Sequence, residues 1–148
     1  MTSTARTNAE HEHGHGEGPT NFVSVRMVTD DVPRLVGFYE RITGVPARWG
    51  NELFAEVVTP GATLAIAHSR TMALFGAGAA HAADNRSVII EFRVDDVDHE
   101  YDKLRVPGAA DVEVVLPPTT QPWGNRSTLF RDPDGNLVNF FTQVGPRP

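Results

Sequence analysis

A chain of 148 residues with 40% hydrophobic and 22% charged side chains has the size and composition of one globular domain. The absence of cysteine excludes disulfides, thiolate metal sites and cysteine nucleophiles, so any chemistry must come from oxygen, imidazole or backbone groups. With 13 Lys and Arg against 19 Asp and Glu, the net charge of -6 and the lack of a basic cluster argue against nucleic acid, and no apolar run approaches the roughly 20 residues that cross a bilayer.

Residues 1–18 carry no large apolar side chain after Met1 and are expected to be a disordered tail. His11, His13 and His15, interleaved with Glu10, Glu12 and Glu17, can hold nickel, copper or zinc weakly, or can simply be solvated. The tail lacks the basic-then-apolar order of a secretory signal, so a cytoplasmic location is expected, with no membrane partner.

From there one pattern occurs twice. Phe22 to Val28 reads as a strand, Asp30 and Asp31 as a helix cap, and Val32, Leu35, Phe38, Tyr39 and Ile42 fall at helical spacing before Gly44. About 65 residues later, Val88 to Val94 reads as a strand, Asp95 and Asp96 as a cap, and Val97, Tyr101 and Leu104 as a helix ending at Gly108. Further strands are predicted over Leu53 to Val58, Thr63 to His68, Val112 to Leu116, Arg126 to Phe130 and Asn136 to Thr142. The turns between them carry Pro60-Gly61, Pro117-Pro118 and Asp132-Pro133-Asp134-Gly135. Module one thus covers about 20–69 and module two about 87–143. Residues 70–86, rich in Gly and Ala, form a linker with a short helix around Thr71 to Phe75, mobile or facing a substrate.

The segments TDDVPRLVGFYERITG and PPTTQPWGNRSTLFRDPDGNLVNFF, above all the DPDGN turn feeding a last hydrophobic strand, resemble the vicinal oxygen chelate superfamily of glyoxalases, extradiol dioxygenases and bleomycin-resistance proteins. The resemblance spans residues 20–143 and implies a single α+β domain of paired βαβββ modules, forming a curled mixed-sheet cup around a small-molecule ligand. It also implies a homodimer, in which each cup is closed by modules of one or both chains. In the family's enzymes four inward side chains, mostly His and Glu, hold a divalent metal. The matching positions here are Ser24, Ala65, Ile89 and Asn139, and no such set binds a divalent metal well, because Ala and Ile have no lone pair while a neutral hydroxyl and amide bind weakly. No metal site and no cofactor are therefore expected.

Alternation places Ser24 and Arg26 on the cup face of the first strand and Ile89 and Glu91 on that of its counterpart. Arg26 and Glu91 then either meet as an ion pair or act on a ligand, Arg26 gripping a carboxylate, phosphate or enolate and Glu91 accepting hydrogen bonds or serving as a catalytic base. Trp123, between Pro122 and Gly124, reads as a stacking platform or a core seal, with Arg126 beside it. Asn139 and Phe141 complete the expected ligand-binding set. Phe54 and Phe75 read as aromatic walls or as core, while Phe38 and Tyr39 read as core. The leading expectation is a metal-independent protein that sequesters an antibiotic or metabolite, a cationic one by the net charge. The alternatives are a glyoxalase-like or dioxygenase-like enzyme with atypical ligands such as Glu91 and His68, and a cofactor-free isomerase or hydrolase using Glu91.

Overall fold

The computed structural model of the chain describes residues 18–106 and 112–146. The tail histidines His11, His13 and His15 and the helix stop expected at Gly108 lie outside the described residues. Strand β1, Ser24–Thr29, alternates between exposed Ser24 and Arg26 and buried Met27 and Thr29. Helix α1, Val32–Thr43, starts where the Asp31 carboxylate accepts from the Arg34 N–H, and it stops at Gly44, whose φ of 70° suits glycine. Its buried stripe is Val32, Leu35, Val36, Phe38, Tyr39 and Ile42. Strands β2, Arg48–Asn51, β3, Phe54–Val58, and β4, Thr63–His68, complete the first module. The linker opens with a 3-10 turn over Ser69–Leu74, in place of the short helix expected slightly later.

The second module repeats the order with β5, Ile89–Arg93, α2, Val97–Leu104, β6, Glu113–Thr120, β7, Asn125–Arg131, and β8, Leu137–Gln143. Asp96 caps α2 as Asp31 caps α1, by accepting from the His99 N–H at 3.1 Å. Each module forms one mixed four-stranded sheet, in the orders β1-β4-β3-β2 and β5-β8-β7-β6. The parallel pairs are β1 with β4 and β5 with β8. The break expected at Pro117-Pro118 does not end β6. That strand lies at the sheet edge, where a proline's missing N–H leaves no partner unmet, and the register shifts between Leu116 and Thr119.

The inner faces of both sheets share one core. The Phe38 ring lies 6.2 Å from Phe130 and the Tyr39 ring 6.3 Å from Phe92, so α1 of the first module packs on the second module's sheet as well as its own. The Tyr39 hydroxyl donates to Asp132 Oδ2 at 2.7 Å, and an Arg34 N–H donates to the Pro133 carbonyl at 3.2 Å, joining α1 to the DPDGN turn. The sheets are not closed into a cup within the chain. Their outer faces, opposite the shared core, are left open.

Candidate functional site

The outer face of the first sheet is set by its register. Arg26 on β1 lies beside Ala65 on β4, and Ala65 beside Glu56 on β3. The same face carries Ser24 and Phe54, and small Ala65 and Ala67 leave room above them for long side chains from either side. The Arg26 guanidinium carbon lies over the Phe54 ring, 5.1 Å from its centroid, and over the Phe75 ring at 5.2 Å. Phe75 follows the 3-10 turn and is 64% exposed, so it is a surface aromatic and not core. Among the described residues Arg26 has neither an ion-pair partner nor a hydrogen-bond acceptor.

On the second sheet Glu91 of β5 pairs in register with Asn139 of β8, and Asn139 with Leu129 of β7. Asn139 Nδ2 donates to Glu91 Oε2 at 2.8 Å, while the buried Asn139 Oδ1 has no partner. Ile89 and Phe141 flank this pair along the strands. Glu91 itself is exposed.

The edge strands β1 and β5 each border a cleft walled by the other module. Beside β1 is a cleft of about 330 Å³, lined by Arg26, Val28, Ile90 and Asn136 together with linker residues that include His81 and Asp84. Beside β5 is a cleft of about 710 Å³, lined by Glu91, Arg93 and Phe141 and by the Pro60-Gly61 turn of module one. Asn85 fixes the end of the linker, its Nδ2 donating to the Val88 carbonyl at 3.0 Å and to Asn136 Oδ1 at 3.3 Å. The sequence reading missed His81, Asp84 and Asn85, because a Gly- and Ala-rich stretch carries no periodicity from which to place side chains. It also missed Glu56, which only the β3–β4 register sets next to the Arg26 row.

The expected residues are therefore brought together in two groups and not one. Ser24 and Arg26 share the first outer face, while Glu91, Asn139 and Phe141 share the second. The ion pair considered between Arg26 and Glu91 is absent among the described residues, since back-to-back packing turns their faces apart. Arg126 joins neither group: it lies on the helix side of β7, where its Nε and Nη2 donate to the Asp98 carboxylate of α2 at 2.8 and 3.0 Å. That exposed pair lowers the carboxyl pKa of Asp98, chiefly through the hydrogen bonds from Arg126. Trp123 sits at the turn between β6 and β7, 51% exposed, and does not seal the core. His68 lies on the inner side of β4, where its Nδ1 accepts the Arg70 N–H at 3.0 Å, so it is not brought together with Glu91.

These two modules, with their repeated capped helices and mixed sheets, have close likenesses among known proteins. The family model of the Glyoxalase/Bleomycin resistance protein/Dioxygenase superfamily matches residues 21–140. The chain belongs to this superfamily. It is 27% identical over 127 residues to the uncharacterized protein YraH of Bacillus subtilis (strain 168), covering 82% of this chain and 98% of that protein. Its fold is similar to that of a glyoxalase/bleomycin resistance protein/dioxygenase from Nocardioides, with a TM-score of 0.70, 23% identity and 97% of each chain covered. It is also similar to a glyoxalase/bleomycin resistance protein/dioxygenase family enzyme from Burkholderia phytofirmans PsJN, with a TM-score of 0.70 and 16% identity over 84% of this chain and all of that one. Likenesses at these identities carry the fold and not the activity.

The divalent metal of the superfamily's enzymes does not fit the residues present. Ser24, Ala65, Ile89 and Asn139 offer no anionic ligand, and of the two carboxylates next to them in register, Glu91 is engaged by Asn139 while Glu56, beside Ala65, lies on the other sheet. Among the described residues no three His, Asp or Glu side chains gather where they can hold a metal ion. No helix of the described residues is long and apolar enough to cross a membrane.

Proposed function

We propose that the protein is a metal-independent binding protein that sequesters a small antibiotic or metabolite, acting in the cytoplasm as a homodimer. One observation carries this reading: the outer faces keep charged and apolar side chains available to a ligand, while the four positions that hold a metal in related enzymes hold Ser24, Ala65, Ile89 and Asn139. Ligand sites combine apolar walls with a few placed polar groups, and Arg26, Glu91, Asn139 and Phe141 supply both. Exposed Val88 lines the cleft beside β1, exposed Ile89 stands beside Glu91 along its strand, and exposed Phe75 lies against Arg26, and these apolar side chains favour a second copy as cover.

A thermal-shift screen of cationic glycopeptides, other antibiotics and small metabolites tests the reading, since a ligand present at 100 times its Kd stabilises the folded state by about 2.7 kcal/mol. A hit without turnover is the expected result. Stoichiometric zinc, nickel, iron or manganese that survives deletion of residues 1–18 would overturn it, whereas metal lost with the tail would trace to His11, His13 and His15.

A second reading, a cofactor-free isomerase or hydrolase with Glu91 as base and Arg26 as oxyanion stabiliser, is favoured by one feature. Asn139 orients Glu91 through Oε2 and leaves Oε1 free at the 710 Å³ cleft. Because Arg26 lies on the other outer face, this chemistry needs the two residues from different copies. Glu91→Gln then keeps ligand affinity and abolishes turnover, and an unchanged rate in that variant would remove Glu91 from catalysis.

A further inference from the structure

We propose that the cleft beside β1 takes a planar aromatic monocarboxylate, held at its acid group by Arg26. This rests on the small-molecule reading above and names the ligand class of its first face. A guanidinium carries five N–H donors in one plane and matches a carboxylate with two parallel hydrogen bonds. Phe54 and Phe75 attract the Arg26 cation through their ring faces but accept no strong hydrogen bond, so they fix the fork without consuming it. Its donors meet no protein acceptor among the described residues, and the nearest acid on the same face, Glu56, forms no ion pair with it. The net charge of the whole chain would suggest a cationic ligand; the local chemistry at this cleft is that of an anion site.

The rest of the cleft selects what the acid is attached to. Val25, Val28, Val88 and Ile90 give it apolar walls, and Phe75, though not itself a wall of the cleft, is an exposed ring against the Arg26 guanidinium, next to where the acid group is held. A volume of about 330 Å³ lies at the small end of ligand sites and suits one or two fused rings. Asn85 and Asn136 are already bonded to each other, so the polar groups that remain on the rim are His81 and Asp84. Asp84 disfavours a second negative group on the ligand, which makes a monoanion the best match.

Isothermal titration of the full chain with 2-naphthoate and with its neutral isostere 2-naphthamide tests this directly. The acid is expected to bind about tenfold more tightly or better, the margin of a charge-assisted bidentate pair. Arg26→Gln should erase the preference, and Arg26→Lys, which keeps the charge but loses the planar fork, should restore only part of it. Equal affinity for acid and amide in the wild-type chain overturns the proposal, and so does a preference that persists in Arg26→Gln. If neither naphthalene binds while other small molecules stabilise the protein, this inference fails and the binding reading stands. If no compound of either panel binds, both fail.

Discussion

Asp132 is 5% exposed, yet its carboxylate is fully served: it accepts from the Tyr39 hydroxyl, from the backbone N–H groups of Asp134 and Asn136, and from Asn136 Nδ2. A buried carboxylate without such donors would be strongly unfavourable, so Tyr39 secures the turn of module two as well as filling the core of module one. Tyr39→Phe is expected to cost about 1.5 to 3 kcal/mol in denaturant unfolding, the range for a hydrogen bond to a charged group. Burial first, and the charge of Asp132 second, push the Tyr39 hydroxyl pKa far above its usual value. In the unfolded chain that phenol ionises near pH 10, so its contribution is complete below about pH 10 and is lost as pH rises above it. Stability measured from pH 9 to 11 should therefore fall more steeply in the wild-type protein than in Tyr39→Phe; parallel curves would contradict this. Tyr39 was legible as core from helical spacing, but its partner lies 93 positions away and no local pattern announces it. Arg126 was misplaced for a related reason. A strand start can be read from sequence, but which face a residue takes depends on where its partner strand begins, and the register pairs Arg126 with Thr142 on the helix side.

Helix α1 shows how far local signals reach at the scale of an element. Asp31 ahead of an apolar stripe marks its start and Gly44 its end, and the structure reproduces both. A Cβ at Gly44 would meet nothing within 4 Å, so Gly44→Ala is expected to cost only the left-handed backbone penalty of about 1 to 2 kcal/mol. Leu35, 1% exposed between the two sheets, should cost about 2 to 5 kcal/mol as Leu35→Ala, because it leaves a cavity in the shared core. Both values can be read from urea unfolding, and a larger loss for the glycine than for the leucine would reverse the assignment of what holds this helix. β2 was not legible. Its residues Arg48, Trp49, Gly50 and Asn51 are all exposed on a sheet edge, so no buried side imposes an alternation. β6 ran past its predicted end because an edge strand tolerates prolines that a central strand would not.

Across the whole molecule, back-to-back packing of the modules leaves two outer faces, one with Ser24 and Arg26 and the other with Glu91, Asn139 and Phe141. Ile89 is 46% exposed beside Glu91, an arrangement that suits burial against a second copy. Light scattering is expected to give twice the chain mass, and Ile89→Arg to shift the protein toward monomer with little change in monomer stability. A wild-type monomer at high concentration would sink the dimer expectation. The sequence by itself determined the two repeated units, the capped helices, the superfamily and the lack of metal-ligating side chains at the four matching positions. All of these are local: a residue's type, its spacing, or its place next to a turn. Only the tertiary structure decided that Arg26 and Glu91 lie on separate open faces, that Arg126 pairs with Asp98 of α2, and that Phe75 covers Arg26 instead of filling the core. Those outcomes depend on how two sheets and a shared helix stack, and that stacking is set by the summed burial of side chains far apart in the chain, which no window of sequence contains.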